Sequence, residues 1–329
     1  MTRTLLVGTR ASTLARTQAG TVRDDLCAQT ATENIDGAEL HFVHTPGDAS
    51  QKAQTPVNRI GVGVFTETLR NALADGECDV AVHSFKDLPT APDERFVQVV
   101  PRRVDPRDIL VSLDDASLRE LPKGAKVGTG APRRVSQLRA LRPDLEILPI
   151  RGNIDTRMGR VRGGEEDLAA VVLAHAGLQR VGQIDRASEI IAVADMMPAP
   201  AQGALCVEVR ADDADALAAV LTLDDPASHA RAVAERAVLA ELQAGCTAPV
   251  GAYSEFTAGQ LTLQGGVFGM DGEHQLVREA SINLGAPDPH ADGEWPTIRA
   301  RAEKLGRDVG RQLVDGGAAG IITDIVGTR

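Results

Sequence analysis

Short apolar runs alternate with helix-compatible segments over the first two-thirds of the chain, and no other feature of the sequence restricts the fold as much. Strands that alternate with helices pair into a mostly parallel sheet covered on both faces, because each crossover supplies a covering helix. Residues 4–9 read as a first strand that leads into a helix over 12–29. Residues 65–74 read as a helix with Gly76 at C′, and 79–83 as a buried strand ending in the turn His83-Ser84-Phe85-Lys86-Asp87-Leu88-Pro89. The unit then recurs: a strand over 126–129, a helix over 132–141, a strand over 147–150, a further helix and a strand over 168–174. Val7-Gly8-Thr9 and Val127-Gly128-Thr129 read as two copies of one strand-to-helix junction, which predicts two similar α/β domains facing each other across a cleft.

After Pro226 the texture changes. One long amphipathic helix to about residue 244 is followed by the loop Gly245-Cys246-Thr247-Ala248-Pro249, strands over 250–255, 260–268 and 275–283, and a final helix over 295–315. Strands grouped between two helices predict a small α+β domain with an antiparallel sheet. The stretch 46–58, rich in Gly, Asp, Ser, Gln and Pro, has no periodicity and reads as a loop, either a lid or a surface excursion.

Charge and composition exclude several classes of function. The chain carries 46 acidic against 35 basic residues, a net charge of −11, so its surface as a whole repels nucleic acid and anionic membranes. Aromatic residues are 2% of the chain, too few for base-stacking platforms. No run approaches the roughly 18 apolar residues of a membrane span, and no secretory signal is written, so a cytoplasmic protein is expected. Cys27, Cys78, Cys206 and Cys246 form no CxxC pair and the seven histidines are scattered, so no metal site is expected.

Within this acidic chain, residues 129–162 hold eight arginines and three acids. A solvated basic helix face accounts for Arg139, Arg142, Arg160 and Arg162. It accounts less well for Arg133 and Arg134, in the first turn of a helix straight after a strand, or for Arg151 at a strand end. Ligands of α/β sheets bind beyond the carboxyl ends of the strands, and Arg10, Asp87, Arg133, Arg134 and Arg151 all fall there. Arginine forks hold carboxylate or phosphate bidentately, so a polyanionic ligand is implied without deciding which anion. No P-loop is present, and Gly61-Val62-Gly63-Val64-Phe65-Thr66 lacks the last glycine of a dinucleotide motif. Asp87 is an acid among these cations, and either caps a turn or faces a positive charge formed during reaction. Cys246 stands outside any periodic segment, unlike the other three cysteines, which makes it the candidate nucleophile.

Taken in order, these residues resemble the hydroxymethylbilane synthases, and the resemblance covers nearly the whole chain. Gly8-Thr9-Arg10-Ala11-Ser12 is similar to the family's first strand-to-helix turn, His83 to Pro89 to its catalytic loop, and Asp105-Pro106-Arg107-Asp108 to its interdomain segment. Val127-Gly128-Thr129 with Arg133-Arg134, and Arg151-Gly152-Asn153 with Thr156-Arg157, resemble its arginine-bearing turns. Ala176-Gly177-Leu178 with Arg180, Pro200-Ala201-Gln202-Gly203-Ala204, and Gly245-Cys246 with Pro249 and Gly251 complete the series.

The resemblance implies two α/β lobes like those of periplasmic binding proteins plus a small α+β C-terminal domain. It divides the chain into residues 1–102 with 203–222, residues 108–197, and residues 226–329. It implies head-to-tail condensation of four porphobilinogen molecules with loss of ammonia, on a dipyrromethane cofactor held by a thioether to Cys246, and hydrolytic release of the linear tetrapyrrole. Asp87 would be catalytic, stabilising the azafulvenium cation that ammonia loss creates. Ser84, Lys86, Asp87, Thr129, Arg133, Arg134 and Arg151 would bind the cofactor; Arg10, Ser12, Arg151, Arg157 and Arg180 would bind substrate. A monomer with no nucleic-acid or membrane partner is implied. Two departures stand out: many relatives carry lysine at Val62 and serine at Ala131, and Arg59 is a candidate replacement for that lysine. Two other functions fit parts of the pattern: a solute-binding protein, which leaves Asp87 unexplained, and a cysteine hydrolase, for which Cys246 lacks a histidine nearby in sequence.

Overall fold

The computed structural model describes residues 2–29, 34–43, 64–162, 167–245, 248–285 and 294–323. The 46–58 loop, Arg59, Val62 and Cys246 lie outside the described residues. The elements run β1 (Arg3–Thr9), α1 (Thr13–Ala28), β2 (Ile35–Phe42), α2 (Val64–Ala74), β3 (Val80–Ser84), a 3-10 turn (Phe85–Asp87), β4 (Phe96–Val99) and β5 (Asp108–Ser112). They continue β6 (Lys126–Gly128), α3 (Pro132–Leu141), β7 (Glu146–Leu148), α4 (Ile154–Met158), β8 (Ala170–Ala174), α5 (His175–Arg180), β9 (Glu189–Ile190), β10 (Leu205–Arg210), α6 (Ala214–Leu221) and α7 (Pro226–Glu241). Last come β11 (Val250–Thr257), β12 (Gln260–Phe268), β13 (Gln275–Asn283), α8 (Glu294–Asp315) and a short α9 (Ala318–Thr323) that periodicity does not announce.

These elements form two compact units, residues 1–103 with 204–229 and residues 104–203 with 230–329. The first holds a five-stranded sheet in the order β2-β1-β3-β10-β4, and the second holds one in the order β7-β6-β8-β5-β9. In each sheet a middle strand pairs in parallel with both neighbours, β1 with β2 and β3, β6 with β7 and β8. The fourth strand runs the other way, β10 against β3 and β4, β5 against β8 and β9. All the strands of each sheet but the fourth therefore share one direction, so the sheets are mostly parallel as expected; the reversed strand enters from the chain of the other unit, β5 directly after β4 and β10 directly after β9.

The repeated junction occupies equivalent positions, with Gly8 near the end of β1 and Gly128 ending β6. A Cβ on Gly8 would sit 2.6 Å from Cys78 Sγ, and one on Gly128 2.5 Å from Leu168 Cδ1, so close packing requires glycine at both. Leu5, Val7, Val80, Val82 and Val207 pack the core of the first sheet under α1 and α6. The second sheet is packed on both faces, around Leu110, Val127 and Leu138 and around Ile109, Val171 and Leu178. The second unit also contains the antiparallel meander β11-β12-β13, whose Leu261, Leu263 and Val267 pack against α7 and α8. Among the described residues no helix is long and apolar enough to cross a membrane. The architecture is thus two α/β lobes and a small C-terminal α+β portion, as expected.

Candidate anion-binding and catalytic site

In the first unit β1 and β3 are parallel neighbours, with Val7 opposite Val80, so both deliver their carboxyl ends to one edge of the sheet. That edge receives Arg10 and Ser12 after β1, and Ser84, Lys86 and Asp87 at the end of β3. Ser12 is the N-cap of α1, its hydroxyl accepting from the Ala15 N–H at 3.4 Å, and Gln18 Nε2 on that helix donates to Ser84 Oγ at 2.9 Å. The turn carrying Lys86 and Asp87 is plugged by Phe85, which is 1% exposed, and closed by the Leu88 N–H donating to the Phe85 carbonyl at 3.3 Å. The Asp87 side chain is exposed, and its carboxylate makes no hydrogen bond or ion pair among the described residues. It therefore caps nothing, and the turn keeps its shape without it.

Beneath this turn lies a charged network that sequence reasoning missed. Glu208 on β10, 0% exposed, accepts from Arg70 Nη2 at 2.6 Å, Arg70 Nε at 2.9 Å and Gln98 Nε2 at 2.9 Å, with His83 Nε2 3.2 Å away. Burial would raise the carboxyl, but Arg70 and His83 outweigh it and hold Glu208 well below the ordinary carboxylate range. The available signal was an acid inside the apolar run Leu205-Cys206-Val207-Glu208-Val209. Burial pushes the Cys78 thiol up to about 12, leaving it un-ionised and unreactive.

In the second unit, Thr129 follows β6, Arg133 and Arg134 begin α3, Arg151 follows β7, Arg157 lies on α4 and Arg180 ends α5. The first pair differs from expectation, because the anion they meet is their own chain's. Arg133 Nη2 donates to Asp108 Oδ2 at 2.8 Å and Arg134 Nη2 to Oδ1 at 2.7 Å, with Gln202 Nε2 also on Oδ1 at 2.7 Å. Asp108 is 0% exposed, which would raise its pKa, yet the two guanidiniums outweigh burial and keep it ionised well below the ordinary range. Arg133 is further committed to the Met197 carbonyl, and Arg134 to the Val172 carbonyl at 3.0 Å. Arg134 Nε is buried and has no partner among the described residues.

The other arginines keep the character of an open cation set. Arg180 is half-buried, donates among the described residues only to the Gly203 carbonyl at 2.7 Å, and is pushed down to about 10 by burial. Arg157 is half-buried, donates to the Gly152 carbonyl at 2.8 Å, and is lowered by burial and by Arg134. Neither meets a carboxylate among the described residues, and Arg151 is exposed with no partner there. Half-buried guanidiniums without counter-ions disfavour the empty state, and an incoming carboxylate relieves that cost. Thr129 is buried and its hydroxyl accepts from the Ala131 N–H at 3.3 Å; Ala131 is the N-cap of α3 and offers no side-chain acceptor. Arg142 is not on a solvated face, since it donates to the Leu118 and Leu121 carbonyls at 2.6 and 2.9 Å and to Asp144. Arg139 donates to the Met270 carbonyl. Among the described residues no three His, Cys, Asp or Glu side chains are grouped to hold a metal.

Comparison with known proteins places this arrangement. Residues 5–218 match the family model "Porphobilinogen deaminase, dipyromethane cofactor binding domain" and residues 229–315 match "Porphobilinogen deaminase, C-terminal domain". A porphobilinogen deaminase of Corynebacterium glutamicum is 54% identical over 98% of this chain and 99% of its own length. One of Nocardia farcinica is 50% identical over 99% of this chain and 90% of its own. Among solved structures, an arginine-specific periplasmic binding protein of Salmonella typhimurium aligns at 17% identity over 66% of this chain and 92% of its own, with a TM-score of 0.37. An L-cystine solute receptor of Neisseria gonorrhoeae aligns at 15% identity over 67% and 84%, with the same TM-score of 0.37. Both structural likenesses are too loose to bear on function.

Proposed function

The chain belongs to the porphobilinogen deaminase family, and from that premise we propose that Cys246 carries a dipyrromethane through a thioether and that Asp87 is the catalytic carboxylate. The enzyme is a hydroxymethylbilane synthase, a transferase of tetrapyrrole biosynthesis that joins porphobilinogen units head to tail with loss of ammonia. The observation that carries the reading is the set of guanidiniums without counter-ions among the described residues: Arg157 and Arg180, half-buried, and Arg151, exposed. Their donors fit a polycarboxylate, and both a dipyrromethane and its substrate carry acetate and propionate arms. When bound, the dipyrromethane supplies the nucleophilic pyrrole carbon from which the product grows.

The chain's own residues do the rest. Arg151, Arg157 and Arg180 grip carboxylates of the bound molecules and so orient the reacting carbons, with Arg134 beside them on Asp108. Ser84, Lys86 and Thr129 add polar contacts, as do Arg10 and Ser12 for substrate, while Arg133 acts chiefly by holding Asp108 and α3 in place. Asp87, whose oxygens no other described group occupies, faces the cation that forms on the substrate as ammonia leaves. Unit charges at ~4 Å and an effective dielectric of ~20 attract by about 4 kcal/mol. The working division is residues 1–102 with 203–222, 108–197 and 226–329, in a cytoplasmic monomer; a separate sheet for each part supports the first of these readings.

Intact-protein mass spectrometry tests the proposal. The chain is expected to be heavier than its sequence by one dipyrrole that survives reductant, and Cys246→Ser to show the bare mass. A Cys246→Ser variant that retained the extra mass would remove the central claim.

A further inference from the structure

The second unit contains a lock between α3 and the C-terminal meander that none of the roles above requires. Gln137, one turn after Arg133 on α3 and 3% exposed, takes both backbone groups of Met197: its Oε1 accepts from the Met197 N–H at 2.8 Å and its Nε2 donates to the Met197 carbonyl at 3.2 Å. Arg133 Nη1 donates to that same carbonyl, and Gln137 Nε2 also reaches the Arg133 carbonyl at 3.1 Å. The Met197 side chain then enters a slot in the meander made by two glycines that face each other across β11 and β12, Gly251 and Gly266. A Cβ on Gly251 would stand 3.0 Å from Met197 Cγ, and one on Gly266 3.3 Å from Met197 Sδ and 2.7 Å from the Phe268 ring. The next glycine, Gly265, faces Val238 and Val309 on the helix side, so the alternation of the strand turns Gly266 toward Met197.

The slot lies where the chain emerges from the Gly245–Pro249 loop. Phe268 N–H donates to the Pro249 carbonyl at 3.0 Å and Ala252 N–H to the Pro198 carbonyl at 3.0 Å, which ties the first residues of β11 to the segment holding Met197. One side chain therefore joins the helix that opens with Arg133 and Arg134 to the strand that follows Cys246. We propose that the Gln137–Met197 clamp, seated in the Gly251–Gly266 slot, is a positioning device that holds the chain flanking Cys246 in register with the arginines of α3. This rests on the reading of Cys246 as the attachment point. A nucleophile on one element and an anion grip on another react only at a set separation, and a displacement near 1 Å costs up to about a hundredfold in rate.

The test follows attachment rather than turnover. Full-length apo-protein, made in cells that cannot produce porphobilinogen, is incubated with porphobilinogen, and the gain in mass is followed with time and normalised to the folded fraction from thermal unfolding. Gly251→Ala crowds Met197 and Met197→Ala empties the slot; each is expected to slow attachment about tenfold. Combined, the new methyl takes part of the vacated space, and attachment is expected to recover at least threefold over either single variant. Gln137→Ala, which leaves the slot filled, is expected to slow attachment likewise. Attachment at the parent rate in folded Gly251→Ala or Gln137→Ala, or a double variant no faster than the slower single one, would overturn the proposal. A merely structural seat would lower the thermal midpoint without changing the attachment rate of the folded fraction. If the parent chain gains no mass, the attachment reading falls first and this one with it.

Discussion

Replacing Asp87 by asparagine separates charge from shape at the candidate catalytic turn. The turn is held by buried Phe85 and by the Leu88 N–H on the Phe85 carbonyl, and the Asp87 carboxylate bonds nothing among the described residues, so stability should change by at most about 0.5 kcal/mol. The effect on turnover depends on where the cation forms. At ~4 Å in open water the lost attraction is about 1 kcal/mol, roughly a fivefold slowing. At the effective dielectric of ~20 expected once substrate covers the exposed carboxylate it is about 4 kcal/mol, roughly a thousandfold. The assay is formation of the linear tetrapyrrole by holo Asp87→Asn protein, with occupancy checked by mass and folding by thermal denaturation. A well-folded holo variant slowed only about fivefold would refute the exclusion of water, and one that kept the parent's turnover would refute the catalytic role as well.

Arg180→Gln removes a half-buried cation that has no carboxylate partner among the described residues, so thermal stability should hold or rise slightly while KM for porphobilinogen rises tenfold or more; an unchanged KM would place Arg180 outside the site. Asp108→Asn leaves two buried guanidiniums facing a neutral group and should cost about 3 to 5 kcal/mol in urea unfolding at neutral pH. Both Asp108 and Glu208 are depressed in the folded state, so the stability they contribute is complete above the ordinary carboxylate pKa of about 4 and is lost as pH falls below it; unfolding free energy that stays flat from about pH 6 to pH 3 would contradict this. Ala131→Ser supplies the acceptor that the N-cap of α3 lacks and should stabilise by about 1 kcal/mol in the same assay, with no gain meaning that the first turn is already satisfied.

Most elements and the local chemistry could be read along the chain. Helix α3 and strands β12 and β13 have the bounds that periodicity predicts, and the Val-Gly-Thr repeat marks the equivalent strands β1 and β6. The excess of arginine between residues 129 and 162, the acid Asp87 among strand-end cations, and the isolation of Cys246 from any periodic pattern point to an anion and to reaction chemistry. Such features are legible because helix faces, strand faces and turns depend on neighbours two to four residues apart. The partnerships are not of that kind. Asp108 takes up Arg133 and Arg134 from 25 and 26 residues away, and Glu208 takes up Arg70 from 138. The reversed direction of β5 and β10 likewise depends on connections that bring remote segments into each sheet. Composition shows that cations outnumber anions locally, but which guanidinium is neutralised by its own chain, and which waits for a ligand, depends on burial and on distances of about 3 Å that exist only once the chain has folded.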